Sequence, residues 1–231
     1  MQKFFSHLKK QRFLALLFLF ITCVASASDD SYDYLFPSRT VYVGVNVGGG
    51  STEWQYLVDT TDPDGTTSGT TPTDVSEGGP SWGVVFGYLV GKNFAFELQY
   101  MQFANSTITL DGNTYPQVTC SDDFDRTGCS PMVSKTDAYS LSGKLFVPVG
   151  KTHMRVFAAV GAGLVQRSDV INHTSSVAPY MSAGLDYNFT RHWILESGFQ
   201  YYTGFGASEV DPVDDFIPFA WDAYARIAYQ F

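Results

Sequence analysis

Residues 83–100 read GVVFGYLVGKNFAFELQY. With Trp82 in front, Trp82, Val84, Phe86 and Tyr88 alternate with Gly83, Val85, Gly87 and Leu89. After a break at 90–93, Phe94, Phe96, Leu98 and Tyr100 alternate with Ala95, Glu97, Gln99 and Met101. Alternation with period two places each set on its own face of a strand. One face is large and apolar. The other is mostly small or polar.

The same period recurs on both sides of this segment. Val41, Val43, Val45 and Val47 alternate with Tyr42, Gly44, Asn46 and Gly48, and further strands are expected over about 135–147, 154–167, 177–189, 193–204 and 218–231. That makes eight. Long connections (59–80, 110–134, 168–176 and 205–217) alternate with short ones (90–93, 148–153 and 190–192). Strands of nine or more residues, with long loops at one end and tight turns at the other, follow the plan of an eight-stranded antiparallel up-and-down transmembrane β-barrel. The long loops are then extracellular and the short turns periplasmic. Closure is required, because an open sheet edge in lipid leaves backbone groups unpaired.

Aromatics sit at both ends of the apolar face, as interfacial girdles require. Tyr88, Phe94, Phe189, Trp193, Tyr229 and Phe231 lie near the short turns, and Trp82, Tyr201, Phe219 and Trp221 near the long loops. A soluble lipocalin-like barrel would reverse the faces, with apolar residues lining a cavity and charges outside. Here the face opposite the large apolar one is poor in Lys and Glu and rich in Gly, Ser and Ala, which suits a narrow packed lumen.

Composition agrees. Only 16% of the 231 residues are charged, below the ~25% of soluble domains, and the mean hydropathy of −0.05 is too polar for a helical membrane bundle. The formal net charge of −9 leaves no polybasic character for a nucleic-acid partner. At the N-terminus, Lys3, Lys9, Lys10 and Arg12 precede an apolar run over 13–24 and then Ala25-Ser26-Ala27. That pattern predicts a secretory signal peptide over 1–27, cleaved after Ala27. Residues 28–39 would then form a short periplasmic segment and 40–231 the barrel. Cleavage removes four cations and no carboxylate, leaving 10 cations against 23 acids, or −13. The four long connections carry all of that excess. Cys120 and Cys129, nine positions apart in an exported chain, read as a disulfide closing a short loop.

The quoted stretch resembles the small outer-membrane β-barrel family of Gram-negative bacteria, which includes OmpA-like transmembrane domains and opacity-type surface proteins. So do VYVGVNVGGG (41–50), SGKLFVPVGK (142–151), AGLDYNFTRHW (183–193) and the closing YARIAYQF (224–231). The resemblance covers the whole mature chain. It implies an outer-membrane location among lipids and lipopolysaccharide. It also implies a C-terminal signal, Tyr229 and Phe231, read by the barrel-assembly machinery. Because the sequence stops at Phe231, the periplasmic peptidoglycan-binding domain of OmpA is not expected.

Eight strands leave an interior just wide enough for side chains to fill. Parity and depth place Glu97, Lys144, Asp186, Glu196 and Arg226 in one layer of that lumen, near the short turns. Buried charges need partners, so an opposed-charge cluster is expected. By resemblance, Glu97, Lys144 and Asp186 match members of the ionic gate of the OmpA barrel. Glu196 stands where that barrel has an Arg, and Arg226 is the replacement cation. A plug of salt bridges is the simpler reading, and a narrow gated ion channel is the alternative.

Catalytic, cofactor and metal sites are not expected. His173 and Ser175 imitate the H-x-S spacing of a barrel deacylase, but no third group orients the imidazole, and His153 and His192 fall in turns. A lipid-modifying enzyme ranks third. In the second and fourth long loops Asp122, Asp123, Asp125, Asp211, Asp214 and Asp215 are candidate contacts for a host or cell-surface ligand, or for divalent ions bridging to lipopolysaccharide phosphates. Asp62-Pro63-Asp64-Gly65 lacks the position-twelve carboxylate of an EF-hand loop.

Overall fold

The computed structural model describes residues 36–54, 72–110, 131–169, 173–204 and 217–231. The expected signal segment, the cysteine pair and the six loop aspartates lie outside these described residues.

The strands are β1 (Thr40–Thr52), β2 (Pro72–Ser76), β3 (Gly79–Gly91), β4 (Phe94–Gln102), β5 (Ser106–Leu110), β6 (Met132–Pro148), β7 (Met154–Ser168), β8 (His173–Asn188), β9 (Trp193–Tyr202) and β10 (Ala220–Gln230). All but β2 and β5 form the barrel. Each pairs antiparallel with the next, and β1 pairs with both β3 and β10, so the wall closes. The seam runs from Thr52↔Ala220 to Tyr42↔Gln230 and is extended by Phe231 N–H donating to Val41 O at 3.0 Å.

One row of cross-strand partners measures the stagger. It passes from Val41 through Tyr88, Phe96, Gly143, Val160, Met181, Tyr201 and Trp221, and returns to β1 at Ser51. The row has climbed ten positions along β1 in one circuit of eight strands. At ~3.3 Å per residue and ~4.8 Å between strands, the strands tilt by about 40°, within the range for small barrels. The row climbs from β1 toward β10, so each strand leans the opposite way as it rises.

The alternation seen in the sequence becomes an inside and an outside. Val43, Val45, Val47, Phe86, Leu98, Leu141, Val160 and Leu195 point outward and are exposed, as they must be if lipid is their solvent. Tyr42, Asn46, Glu97, Gln99, Lys144, Ser182, Gln200 and Arg226 point inward and are buried. Rings pair at both rims. Trp193, Phe231 and His192 gather on Tyr229 at the turn end, while Trp82–Tyr100–Tyr139, Phe199–Trp221 and Tyr201–Phe219 run around the loop end.

Two features depart from the sequence reading. β2 falls inside the first expected long connection, and β5 immediately before the second. β2 pairs with β5 and β5 with β6, so a small sheet stands above the barrel wall. β6 and β8 also begin earlier than expected, at Met132 and His173, and lift the hairpin side of the wall at the loop end. Those added positions are Ser- and Thr-rich and carry no apolar alternation.

Candidate functional site

The lumen is layered. Near the turn end Tyr42, Leu89, Ala95, Phe146, Phe157, Ile194, Tyr224 and Ala228 form one buried cluster. Near the loop end Met101, Phe103, Ala138, Ala159, Val165, Ala178, Tyr180, Tyr202, Ile217 and Ala220 form a second. Charged and amide side chains lie between and beneath them.

The charged centre is a four-membered ring. Lys144 Nζ on β6 donates to Glu97 Oε1 at 2.8 Å and to Glu196 Oε2 at 2.5 Å. Arg226 Nη1 on β10 faces the same carboxylates, at 2.9 Å from Glu97 Oε1 and 3.0 Å from Glu196 Oε1. Two cations therefore balance two carboxylates across four strands. Tyr42 donates its hydroxyl to Glu97, and Tyr224 OH donates to Glu196 Oε1 at 2.7 Å. The remaining guanidinium nitrogens reach Asn46 Oδ1 at 2.6 Å and Gln99 Oε1 at 2.7 Å. Gln99 in turn donates to Gln200 Oε1 at 2.6 Å. Such dense satisfaction is what permits charges in a low-dielectric interior.

Small residues make the ring possible. A Cβ at Gly87 would lie 2.0 Å from Tyr42 Cζ, so the β3 glycine is the space into which the tyrosine folds to meet Glu97. Gly184 and Gly198 do the same for Phe157, whose ring lies 4.0 Å below Lys144 Nζ. This cation–π contact caps the ammonium on its apolar side.

Asp186 requires a correction. The sequence places it in the same cluster as the other four, and all five are indeed buried inward. In the structure Asp186 accepts from Arg155 Nε at 2.8 Å, in a separate pair nearer the turns. Arg155 also donates to Lys92 O at 3.0 Å and stacks 3.9 Å from the Phe146 ring. A pocket between the pair and the ring, lined by Tyr42, Leu89, Phe146 and Ile194 among others, has no room for a water-sized sphere.

Three further lumen charges escaped the sequence reading. Besides Arg155, Arg167 pairs with Asp169 at 2.5 Å and lies 4.6 Å from the buried Trp54 ring, at the loop end. Asp222 accepts from Ser81 Oγ at 3.0 Å. β7 hid its two arginines because both of its faces are apolar or small (Val156, Ala158 and Val160 outside; Phe157, Ala159 and Gly161 inside), so parity alone does not say which side is in. The composition of β10, with Tyr224 and Arg226 on one face, does carry the signal for Asp222.

His173 and Ser175 lie exposed on the outward face of β8. His192 Nδ1 lies 2.9 Å from Gln230 O, and the His153 ring packs beside Tyr187. Among the described residues no group of three or more His, Cys, Asp or Glu is placed to hold a metal.

No curated protein matches this sequence. Among solved structures, Neisserial surface protein A superposes with a TM-score of 0.52 at 12% identity, covering 83% of this chain and 97% of that one. The solid-state NMR structure of outer membrane protein AlkL in DMPC bilayers gives 0.51 at 16% identity, covering 90% and 94%. The N-terminal barrel domain of Pseudomonas aeruginosa OprF gives 0.48 at 12%, covering 84% and 98%. At such identities the likeness to the first two concerns the fold. The sequence also matches the OmpA-like transmembrane domain over residues 37–231, a span that contains all eight barrel strands. The chain therefore belongs to the OmpA-like transmembrane domain family of outer-membrane β-barrels.

Proposed function

We propose that this protein is a non-enzymatic outer-membrane anchor whose barrel is sealed and whose acidic extracellular loops do the work, in a structural or surface-recognition role. One observation carries the reading: the four-membered charge ring is bounded toward both ends of the barrel by buried apolar clusters. An ion crossing the lumen would have to part the ring and then pass Met101, Phe103 and Tyr202, which offer it little polar coordination. The test is planar-bilayer recording of the purified, refolded protein. A silent bilayer is expected. Discrete conductance steps that change in Lys144→Ala would overturn the seal.

The second reading, a gated ion path, is favoured by the position of Lys144 between two carboxylates that also face Arg226. The same recordings decide between the two. Surface recognition is tested by shaving intact cells with protease: cleavage confined to the long loops, with loss of attachment to a basic target surface, is the expected result. Export by a signal peptide predicts a mature N-terminus at Ser28, and a Cys120–Cys129 disulfide predicts no free thiol before reduction. Hydrolysis of lipid A by the purified protein, lost in Ser175→Ala, would establish an enzyme instead.

A further inference from the structure

The chain crosses the turn-end mouth of the barrel before it enters the wall. Phe36 precedes β1, yet it is fully buried, and its ring lies 4.3 Å from the guanidinium carbon of Arg155 on β7. β1 and β7 stand four pairings apart in either direction around the circuit, so they face each other across the lumen. Residues 36–39 therefore reach inward over the mouth, and Arg155 reaches back to meet them. Its guanidinium has Phe146 of the turn-end cluster at 3.9 Å and Phe36 at 4.3 Å, while its Nε and Nη1 donate to Asp186 and to Lys92 O. Phe36 thus covers, by a cation–π contact, a guanidinium that would otherwise face solvent at the mouth.

Two features distinguish this segment from a fixed part of the wall. The first is a hinge. Arg39 has a φ of 61°, in the left-handed region that a residue with a Cβ adopts at a cost. That turn takes the chain out of the line of β1 and under the lumen. The Arg39 N–H donates to Leu89 O at 2.8 Å, so the bend is pinned to β3 at one point. Pro37 fixes its own φ and keeps Phe36 extended, which stiffens the piece beyond the hinge. The second feature is an opposing cost at the root of the segment. Among the described residues neither polar atom of the Gln230 side chain has a hydrogen-bond partner, nor has Thr40 Oγ1, although each atom is buried. Gln230 is paired with Tyr42 on β1, and Thr40 lies two residues further toward the mouth. Burial of the Phe36 ring favours the closed position. The stranded amide and hydroxyl oppose it.

We propose that residues 36–39 are a strap that opens and closes the turn-end mouth of the barrel, with Phe36 as the plug and Arg39 as the hinge. Closed, the ring covers Arg155 and its pair with Asp186. Open, the ring leaves, the Arg39–Leu89 bond breaks, and water reaches Arg155 and Gln230. The motion does not touch the charge ring, because Leu89, Phe146 and Ile194 lie between it and the mouth. The strap is therefore a movable closure separate from the packed lumen, and it operates whether or not the lumen conducts.

The experiment is native-state hydrogen exchange, read by NMR on the refolded protein in lipid nanodiscs over a series of low urea concentrations. The Arg39 amide reports the strap. The Phe146 amide, which donates to Asn93 O at 2.9 Å, reports the wall. Arg39 should exchange through a local opening that urea leaves unchanged, and Phe146 only through a larger opening that urea promotes. Phe36→Ala should speed Arg39 exchange about tenfold or more, the factor for losing a buried ring, and leave Phe146 unchanged. Gln230→Met, which removes the stranded amide, should slow Arg39 exchange about fivefold. Heat-dependent gel mobility verifies that each variant is folded. The proposal is overturned by Arg39 exchange that follows urea as steeply as Phe146, that is equal in Phe36→Ala and wild type, or that Gln230→Met fails to slow.

Discussion

Replacing Lys144 by Met tests the charge ring most directly. The substitution keeps the length and apolar stem of the side chain but removes the ammonium that lies 2.8 Å from Glu97 and 2.5 Å from Glu196. Two buried carboxylates must then share Arg226 Nη1. Removing one partner of a buried ion pair costs about 3–5 kcal/mol. Here each carboxylate still accepts a tyrosine hydroxyl and faces the guanidinium, so the low end, about 3 kcal/mol, is expected. With a urea m-value of ~2–3 kcal/mol/M, that is a fall of about 1–1.5 M in the unfolding midpoint. The assay is equilibrium unfolding in lipid vesicles, followed by heat-dependent gel mobility. Glu196→Gln alone leaves two cations facing one carboxylate and should cost a similar amount. The double variant restores charge balance and should cost only about 1–2 kcal/mol, a coupling well outside simple additivity. Additive costs, or a Lys144→Met loss under about 1 kcal/mol, would refute the claim that the ring acts as one electrostatic unit.

Three other outcomes follow from the geometry. Gly87→Ala, whose new methyl meets the Tyr42 ring, should cost about 1–3 kcal/mol and lower refolding yield; Tyr42→Phe in the same background should not restore it, because the clash is with the ring and not the hydroxyl. Phe157→Ala empties the centre of the turn-end cluster and uncovers Lys144, so about 3–5 kcal/mol should be lost in vesicle unfolding. Val160→Arg puts a charge at mid-strand on the lipid face, where the valine is 69% exposed, and should cost about 2–4 kcal/mol. The same arginine replacing the rim residue Gln166 should be nearly silent.

The barrel was legible because every transmembrane strand must satisfy two solvents at once. Lipid outside and a packed lumen inside impose period two on Val41–Gly48 and on both arms of 83–100, and the turns between them have to be short. β2 and β5 stand above the barrel wall and are only five residues long each. Ser106–Leu110 does alternate, with Ser106 and Ile108 buried and Thr107 and Thr109 half-buried, but two apolar residues in five positions are too short a run to mark a strand. The lumen was half legible. Glu97, Lys144, Glu196 and Arg226 sit on strands whose two faces differ in kind, so parity located them. The partner of Asp186 did not follow, because Arg155 is the second residue of β7, a strand whose middle is apolar or small on both sides. Which anion meets which cation depends on the stagger between strands, and that register is a property of the closed barrel.

The two apolar clusters also decide who can influence the charges between them. Mobile ions screen exposed charges within ~8 Å at physiological ionic strength, but only where those ions can go. In the sealed barrel proposed above, packing at Met101, Phe103 and Tyr202 above, and at Leu89, Phe146 and Ile194 below, keeps electrolyte away from the ring. Its attractions are therefore set by the fold and not by the medium. The acidic residues that the sequence places in the long connections have no such shelter, so salt should screen them and not the ring. Recharging those connections should then leave the unfolding midpoint of the wall unchanged, because the electrostatics that hold the wall together are insulated from them.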